Sequence, residues 1–127
     1  MRTMITGFLA LLLALGVAAC ATHPALSEAD QQAVQYHSKS LEGQMEVVAI
    51  DRRYRGDLLT AQVKLLNRSA FNVSYAYKFR WFDSDGFEIA QDRTPWTPVQ
   101  TPGRGSHLVQ GVAPSANAVS MEIWLKQ

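Results

Sequence analysis

The residue best suited to covalent chemistry is Cys20, the only cysteine in the sequence. A lone thiol can act as a reactive thiolate, pair with another chain or carry a covalent group, and its surroundings decide between these roles. Cys20 directly follows Val17-Ala18-Ala19, at the end of an apolar stretch that starts near Phe8, and Arg2 adds positive charge ahead of that stretch. This order of charge, apolar residues and small residues predicts a signal peptide over residues 1–19.

The small residues before Cys20 resemble the lipobox of bacterial lipoproteins, in which a diacylglycerol thioether forms on the cysteine and cleavage leaves it as the new N-terminus. The resemblance implies that Cys20 is the lipid attachment site and that no free thiol remains in the mature chain. Ala21 is not the aspartate that retains such proteins in the inner membrane, so we expect the periplasmic face of the outer membrane. The apolar run 5–19 is shorter than the roughly 20 residues of a membrane span.

The remaining composition excludes several classes of function. Removal of Arg2 with the leader leaves 11 basic against 11 acidic side chains, so no basic face for nucleic acid is expected. The histidines at 23, 37 and 107 have no ligand-like spacing to other metal ligands, and no serine has a credible histidine and acid partner. We therefore predict no metal, no cofactor and no enzymatic activity.

Two charged motifs allow alternative interpretations. The run Asp83-Ser84-Asp85-Gly86 could hold a cation, but it is typical of a tight turn whose Asp side chains bind local N–H groups. Arg52, Arg53 and Arg55 could bind a phosphate-bearing lipid or an acidic glycan. Asp51 and Asp57 flank them, and a solvated hairpin loop explains the same pattern.

Two tryptophans are the candidates for a partner or ligand surface. Trp96 lies between Pro95 and Pro98, where it either stacks on a ligand or closes one end of the core; the pattern favours the core. Trp124 alternates with Ile123 and Leu125, so it faces outward if those residues face inward. An exposed Trp124 would mark a partner surface.

The elements that position these residues are β-strands. Residues 20–43 are predicted to be the lipidated cysteine and a flexible or partly helical tether, with a short helix over 26–34 capped by Ser27. From residue 44 to 127, alternation predicts strands over 45–50, 58–66, 73–82, 87–89, 106–112 and 119–125, with prolines breaking the residues between 95 and 102 into loop or edge segments. Short strands separated by turns predict an all-β, immunoglobulin-like β-sandwich.

Three segments of this domain resemble the YcfL-type periplasmic lipoproteins: residues 77–88, with their run of aromatics before Asp83 and Gly86, residues 94–98 and residues 110–114. The resemblance implies an immunoglobulin-like envelope lipoprotein with no catalytic residues to carry over. We therefore expect a lipid-anchored adaptor that contacts another envelope protein. The alternative is a module that binds a glycan such as peptidoglycan, or a lipid headgroup.

Overall fold

The computed structural model describes residues 26–127. The leader 1–19, the predicted lipidation site Cys20 and the next five residues lie outside this range. Among the described residues, no helix is long and apolar enough to cross a membrane.

Residues 26–127 form three short helical segments and eight strands. In order they are α1 (Glu28–Gln32), β1 (Val34–Tyr36), α2 (Lys39–Gln44), β2 (Met45–Arg55), β3 (Leu58–Asn67), β4 (Val73–Phe82), β5 (Glu88–Ile89), a 3-10 turn (Gln91–Arg93), β6 (Thr97–Thr101), β7 (Ser106–Val112) and β8 (Ser120–Lys126).

Two sheets pack face to face as a β-sandwich, which confirms the predicted fold class. Sheet A has the order β1-β8-β4, and the far edge of β4 pairs with β6 along its first half and with β5 at its end. Sheet B has the order β2-β3-β7. Every pairing is antiparallel except that of β1 with β8.

The core forms where alternate residues of the two sheets face each other. The inward residues of β3 are Leu59, Ala61, Val63 and Leu65, and those of β8 are Met121, Ile123 and Leu125; all are buried. On β4 the rings of Phe79 and Trp81 stack at 5.7 Å. Gly111 of β7 is required here because a Cβ would come within 2.5 Å of the Phe79 ring.

The segment between residues 26 and 44 is folded onto the sandwich, so the domain begins earlier than the predicted residue 44. The helix predicted near residue 26 is present, and Ser27 accepts the capping bond from the Asp30 N–H at 3.2 Å. Val34–Tyr36 then joins the edge of sheet A beside β8. Leu41 is fully buried, and the Tyr36 hydroxyl donates to the Met45 carbonyl at 2.8 Å. The described part of the predicted tether therefore contains two short helices and a strand that pack on the sandwich.

The two ends of the sandwich differ. One end, here called the N-terminal pole, carries α1, the β2–β3 hairpin (54–59), the β4–β5 turn (83–87) and the β7–β8 connection (113–119). The hairpin closes with a two-residue turn in which Gly56 takes a φ of 63°. The predicted turn at 83–86 is also present, and Asp83 Oδ1 accepts from the N–H groups of Asp85 and Phe87. The opposite pole holds α2 and the loops around Asn67.

Candidate functional site

Alternation along β4 and β8 decides which side chains reach the outer surface of sheet A. Because Met121, Ile123 and Leu125 face the core, Trp124 and Lys126 face outward, as predicted for Trp124. Lys78 of β4 lies directly opposite Trp124, one strand away.

Trp96 lies on the same surface, outside the core. It stands one residue before β6, which pairs with β4, and its side chain is half-buried between Lys78 and Lys126. The favoured interpretation, that Trp96 closes one end of the core, is therefore wrong. The prolines on either side fix the path of this segment but give no alternation from which a face could be inferred.

The two tryptophans form one cluster with four nitrogen-bearing side chains: His37, Lys78, Arg80 and Lys126. We call these six residues the tryptophan face. The Trp124 ring centroid lies 4.5 Å from that of His37 and 3.9 Å from the Arg80 guanidinium carbon. The Lys126 ammonium lies 4.3 Å from the Trp96 centroid, and the Lys78 ammonium lies 5.0 Å from it. The distances from Arg80, Lys126 and Lys78 are typical of cation–π contacts.

Some polar and charged groups on the tryptophan face have a hydrogen-bond or ion-pair partner, and others do not. Glu88 of β5 accepts from Arg80 Nε at 2.6 Å and also from its Nη2, and Glu122 accepts from the Trp124 indole N–H at 2.8 Å. Within residues 26–127, Lys78 and Lys126 form no ion pair. The face therefore presents two ammonium groups without a direct ion-pair partner beside two half-buried indoles, which is a suitable surface for a carboxylate-bearing partner.

The Arg80–Glu88 pair makes the stability of this region depend on pH. Its side chains are only 16% and 10% exposed, and the hydrogen bonds from Arg80 hold the pKa of Glu88 below its ordinary value. Because the pKa of Glu88 is lower in the folded protein than in the unfolded chain, ionised Glu88 stabilises the fold at pH values above its unfolded-state pKa. This stabilisation is lost as the pH falls through the folded-state pKa.

We expect Glu88→Gln to lower the free energy of unfolding by about 1–2 kcal/mol near neutral pH. The difference from the parent protein should shrink as the pH falls from about 5 to about 2. Urea unfolding across this range measures it, with Asp85→Asn, which removes an exposed turn carboxylate, as the control. A difference that stays constant with pH would contradict the assignment.

A cleft adjoins the tryptophan face on the inner side of residues 94–97. It has a volume of about 250 Å³ and lies between β4 and β7, where β4 passes from β6 to β5. Tyr77, Phe79 and Trp81 form its apolar side, and Thr94 and Gln110 contribute polar groups. The three segments that carry the family resemblance, 77–88, 94–98 and 110–114, all contribute to its lining.

The arginine cluster is not a single site. Arg52, Arg53 and Arg55 lie in β2 itself and not in a loop, so Arg52 points to the opposite side of the strand from the other two. Arg52 Nη1 binds Asp30 Oδ1 at 2.6 Å, and Arg53 and Arg55 are exposed. Sequence reasoning missed the Asp30 contact because 22 residues separate the partners.

The match to a known protein family covers nearly the same residues as the folded domain. The sequence profile of DUF1425, a protein family of unknown function, matches residues 32–127, about three quarters of the chain. This protein belongs to the DUF1425 family. The match begins inside the predicted tether, in agreement with the packing of β1 and α2.

Solved structures with a similar fold include a protein from Shewanella and one from Campylobacter. A DUF1425 family member from Shewanella sp. pv-4 is 23% identical, with 65% of this chain and 77% of that chain covered at a TM-score of 0.61. Campylobacter jejuni cj0090 is also 23% identical, with 74% of this chain and 96% of that chain covered at a TM-score of 0.59. Both show similarity of fold alone, and no curated protein matches the sequence.

No cluster of three or more potential metal ligands occurs in residues 26–127. His107 lies in β7 of sheet B and His37 stacks on Trp124, so these two imidazoles do not meet at a site. His23 lies outside the described residues. Sequence reasoning missed His37, Lys78, Arg80 and Lys126 as members of the tryptophan face. The alternation of β4 and β8 could have identified the three on these strands, but nothing local placed His37.

Proposed function

We propose that this DUF1425 protein is a non-enzymatic, lipid-anchored envelope protein of the YcfL type, and that it serves as an adaptor. Cys20 would fix it to the periplasmic face of the outer membrane, and the tryptophan face would hold another envelope protein. The clustering of Trp96 and Trp124 with Lys78 and Lys126 carries this proposal. Tryptophan and arginine are common among the residues that contribute most to protein–protein binding.

A protein partner with carboxylates fits this face better than a sugar does. The cations Arg80 and Lys126 lie against the Trp124 and Trp96 rings, and the His37 ring also lies against Trp124. A sugar that stacks on either indole therefore competes with the protein's own side chains. A carboxylate of the partner, in contrast, would form ion pairs with Lys78 and Lys126, and the indoles would contribute apolar contact area. Anchoring also raises the local concentration, so a modest contact suffices.

The cleft beside residues 94–97 favours a second function, binding of a glycan such as peptidoglycan. Its aromatic side and polar margin have the composition of a small ligand site, although its volume of about 250 Å³ is below the usual range of such sites. Co-sedimentation of the protein with purified peptidoglycan would support this alternative if Gln110→Ala weakened it. Arg53 and Arg55, on the opposite sheet, would then have no part in binding.

In-cell photocrosslinking tests the adaptor proposal. An aromatic photocrosslinking amino acid at position 124 or 96 should give one discrete adduct with an envelope protein. The matched control is position 62, because Gln62 is similarly half-buried but lies on the outer face of sheet B. Equal labelling from 62 and 124, or no adduct from either tryptophan position, would contradict the proposal.

The charge requirement has its own test. With the crosslinker at 124, we expect Lys78→Gln with Lys126→Gln to lower adduct yield about tenfold, which corresponds to about 1.4 kcal/mol of binding free energy. The control pair Arg53→Gln with Arg55→Gln removes the same charge from the exposed part of β2. An equal loss in both pairs would indicate a general effect of net charge instead of a specific face.

A further inference from the structure

The described residues begin at the N-terminal pole, and the number of residues back to Cys20 limits how far this pole can lie from Cys20. Asp30 of α1 binds Arg52 near the tip of the β2–β3 hairpin. A shallow hollow beside α1 is lined by Ala29, Gly86 and Ser120, so the helix, the β4–β5 turn and the start of β8 meet there. The described chain therefore enters the domain at this end of the sandwich and not at the Asn67 end.

Only five residues lie between Cys20 and Leu26, the first described residue, so six Cα–Cα steps connect them. A fully extended chain spans at most about 3.5 Å per residue, so the connection reaches about 20 Å at most. The headgroup layer on one side of a bilayer is about 5–8 Å thick. With Cys20 anchored, the N-terminal pole is thus the part of the domain held closest to the lipid.

Each of the three connections at this pole exposes one large apolar side chain. They are Tyr54 beside the hairpin turn, 58% exposed, Phe87 in the β4–β5 turn, 72% exposed, and Val119 before β8, 50% exposed. A single exposed apolar residue is ordinary on a protein surface. Three on separate connections around the point of chain entry form a set that a bilayer surface would cover.

We propose that the N-terminal pole rests on the bilayer, with Tyr54, Phe87 and Val119 in the headgroup layer. The proposal deepens the proposed function and rests on its lipid anchor at Cys20. The sandwich then stands on the membrane, and the tryptophan face on the side of sheet A stays open to a partner in the periplasm.

The net charge of the N-terminal pole indicates which kind of lipid it would contact. The carboxylates on α1, β2, its hairpin turn and the β4–β5 turn outnumber the arginines: Glu28, Asp30, Asp51, Asp57, Asp83 and Asp85 stand against Arg52, Arg53 and Arg55. An anionic surface would repel this pole, so the contact is apolar and suits a zwitterionic lipid. It does not depend on the arginines.

Single-site fluorescent labelling tests the orientation. Because acylation consumes the only native thiol, Phe87→Cys and Phe71→Cys each give one reactive site in the mature, acylated chain. Phe71 is the matched control, since it is 79% exposed but lies beside Asn67 at the opposite pole. Each protein is labelled with an environment-sensitive fluorophore and reconstituted in phosphatidylcholine vesicles.

We expect a blue shift of emission and quenching by brominated lipids at position 87, and water-like emission at position 71. Anionic lipid should reduce the shift at 87. Water-like emission at both positions from vesicle-bound protein would overturn the orientation while leaving the anchor intact. Quenching at both positions, or a shift at 87 that grows with anionic lipid, would also overturn it. A mature chain that carries no acyl group would instead defeat the proposed function itself.

Discussion

Asn67→Ala is expected to destabilise the protein by about 4 kcal/mol. Asn67 is fully buried at the end of β3. Its side-chain amide donates to the carbonyls of Phe71, Thr101 and Pro102, and its oxygen accepts from the Ser69 N–H and hydroxyl. Alanine would remove all five hydrogen bonds from this fully buried position, including the bond to the buried Thr101 carbonyl. A buried polar group that loses its partner costs about 1–3 kcal/mol, and the lost side-chain volume adds to this. Urea unfolding measures the effect.

Two further variants isolate the cause. Asn67→Asp keeps the size of the side chain but replaces the donor with oxygen facing three carbonyl groups, so we expect a loss at least as large. Asn72→Ala is the control, because exposed Asn72 accepts only one bond, from the Gly103 N–H at 3.3 Å. If Asn67→Ala cost no more than Asn72→Ala, the network around Asn67 would not be what joins these loops.

Leu41→Ala is expected to cost about 3 kcal/mol, the usual loss when a buried leucine is truncated and a cavity remains. Leu41 lies in α2, within the segment that the sequence predicts as tether, and it is fully buried against the core. Glu42→Ala is the control, since the neighbouring Glu42 is exposed on the same helix. Equal stability of the two variants in urea would mean that α2 is not an integral part of the domain.

The elements that the sequence predicted well are those with a long local pattern. Ten residues of alternation gave β4 its observed bounds of 73–82, and the phase of Ile123 and Leu125 placed Trp124 on the outer surface. The turn at 83–86 was equally readable, because Gly86 takes the positive φ that such turns require.

The elements that it missed depend on contacts between distant residues. β1 has only three residues, too few to show a period, and its pairing with β8 joins Val34 to Ile123. Without β1, nothing could place His37 beside Trp124. The position of Trp96 likewise follows from the pairing of β6 with β4, which no pattern within residues 94–98 specifies.

Mass spectrometry of the mature N-terminal peptide tests the central claim, a lipid anchor at Cys20, most directly. We predict that the peptide isolated from membranes starts at Cys20 and carries a diacylglyceryl thioether. The variant Cys20→Ser should lack this mass and leave the membrane fraction. A mature chain that starts at another residue, or that keeps a free Cys20 thiol, would contradict the anchor, the adaptor proposal and the orientation that depends on them.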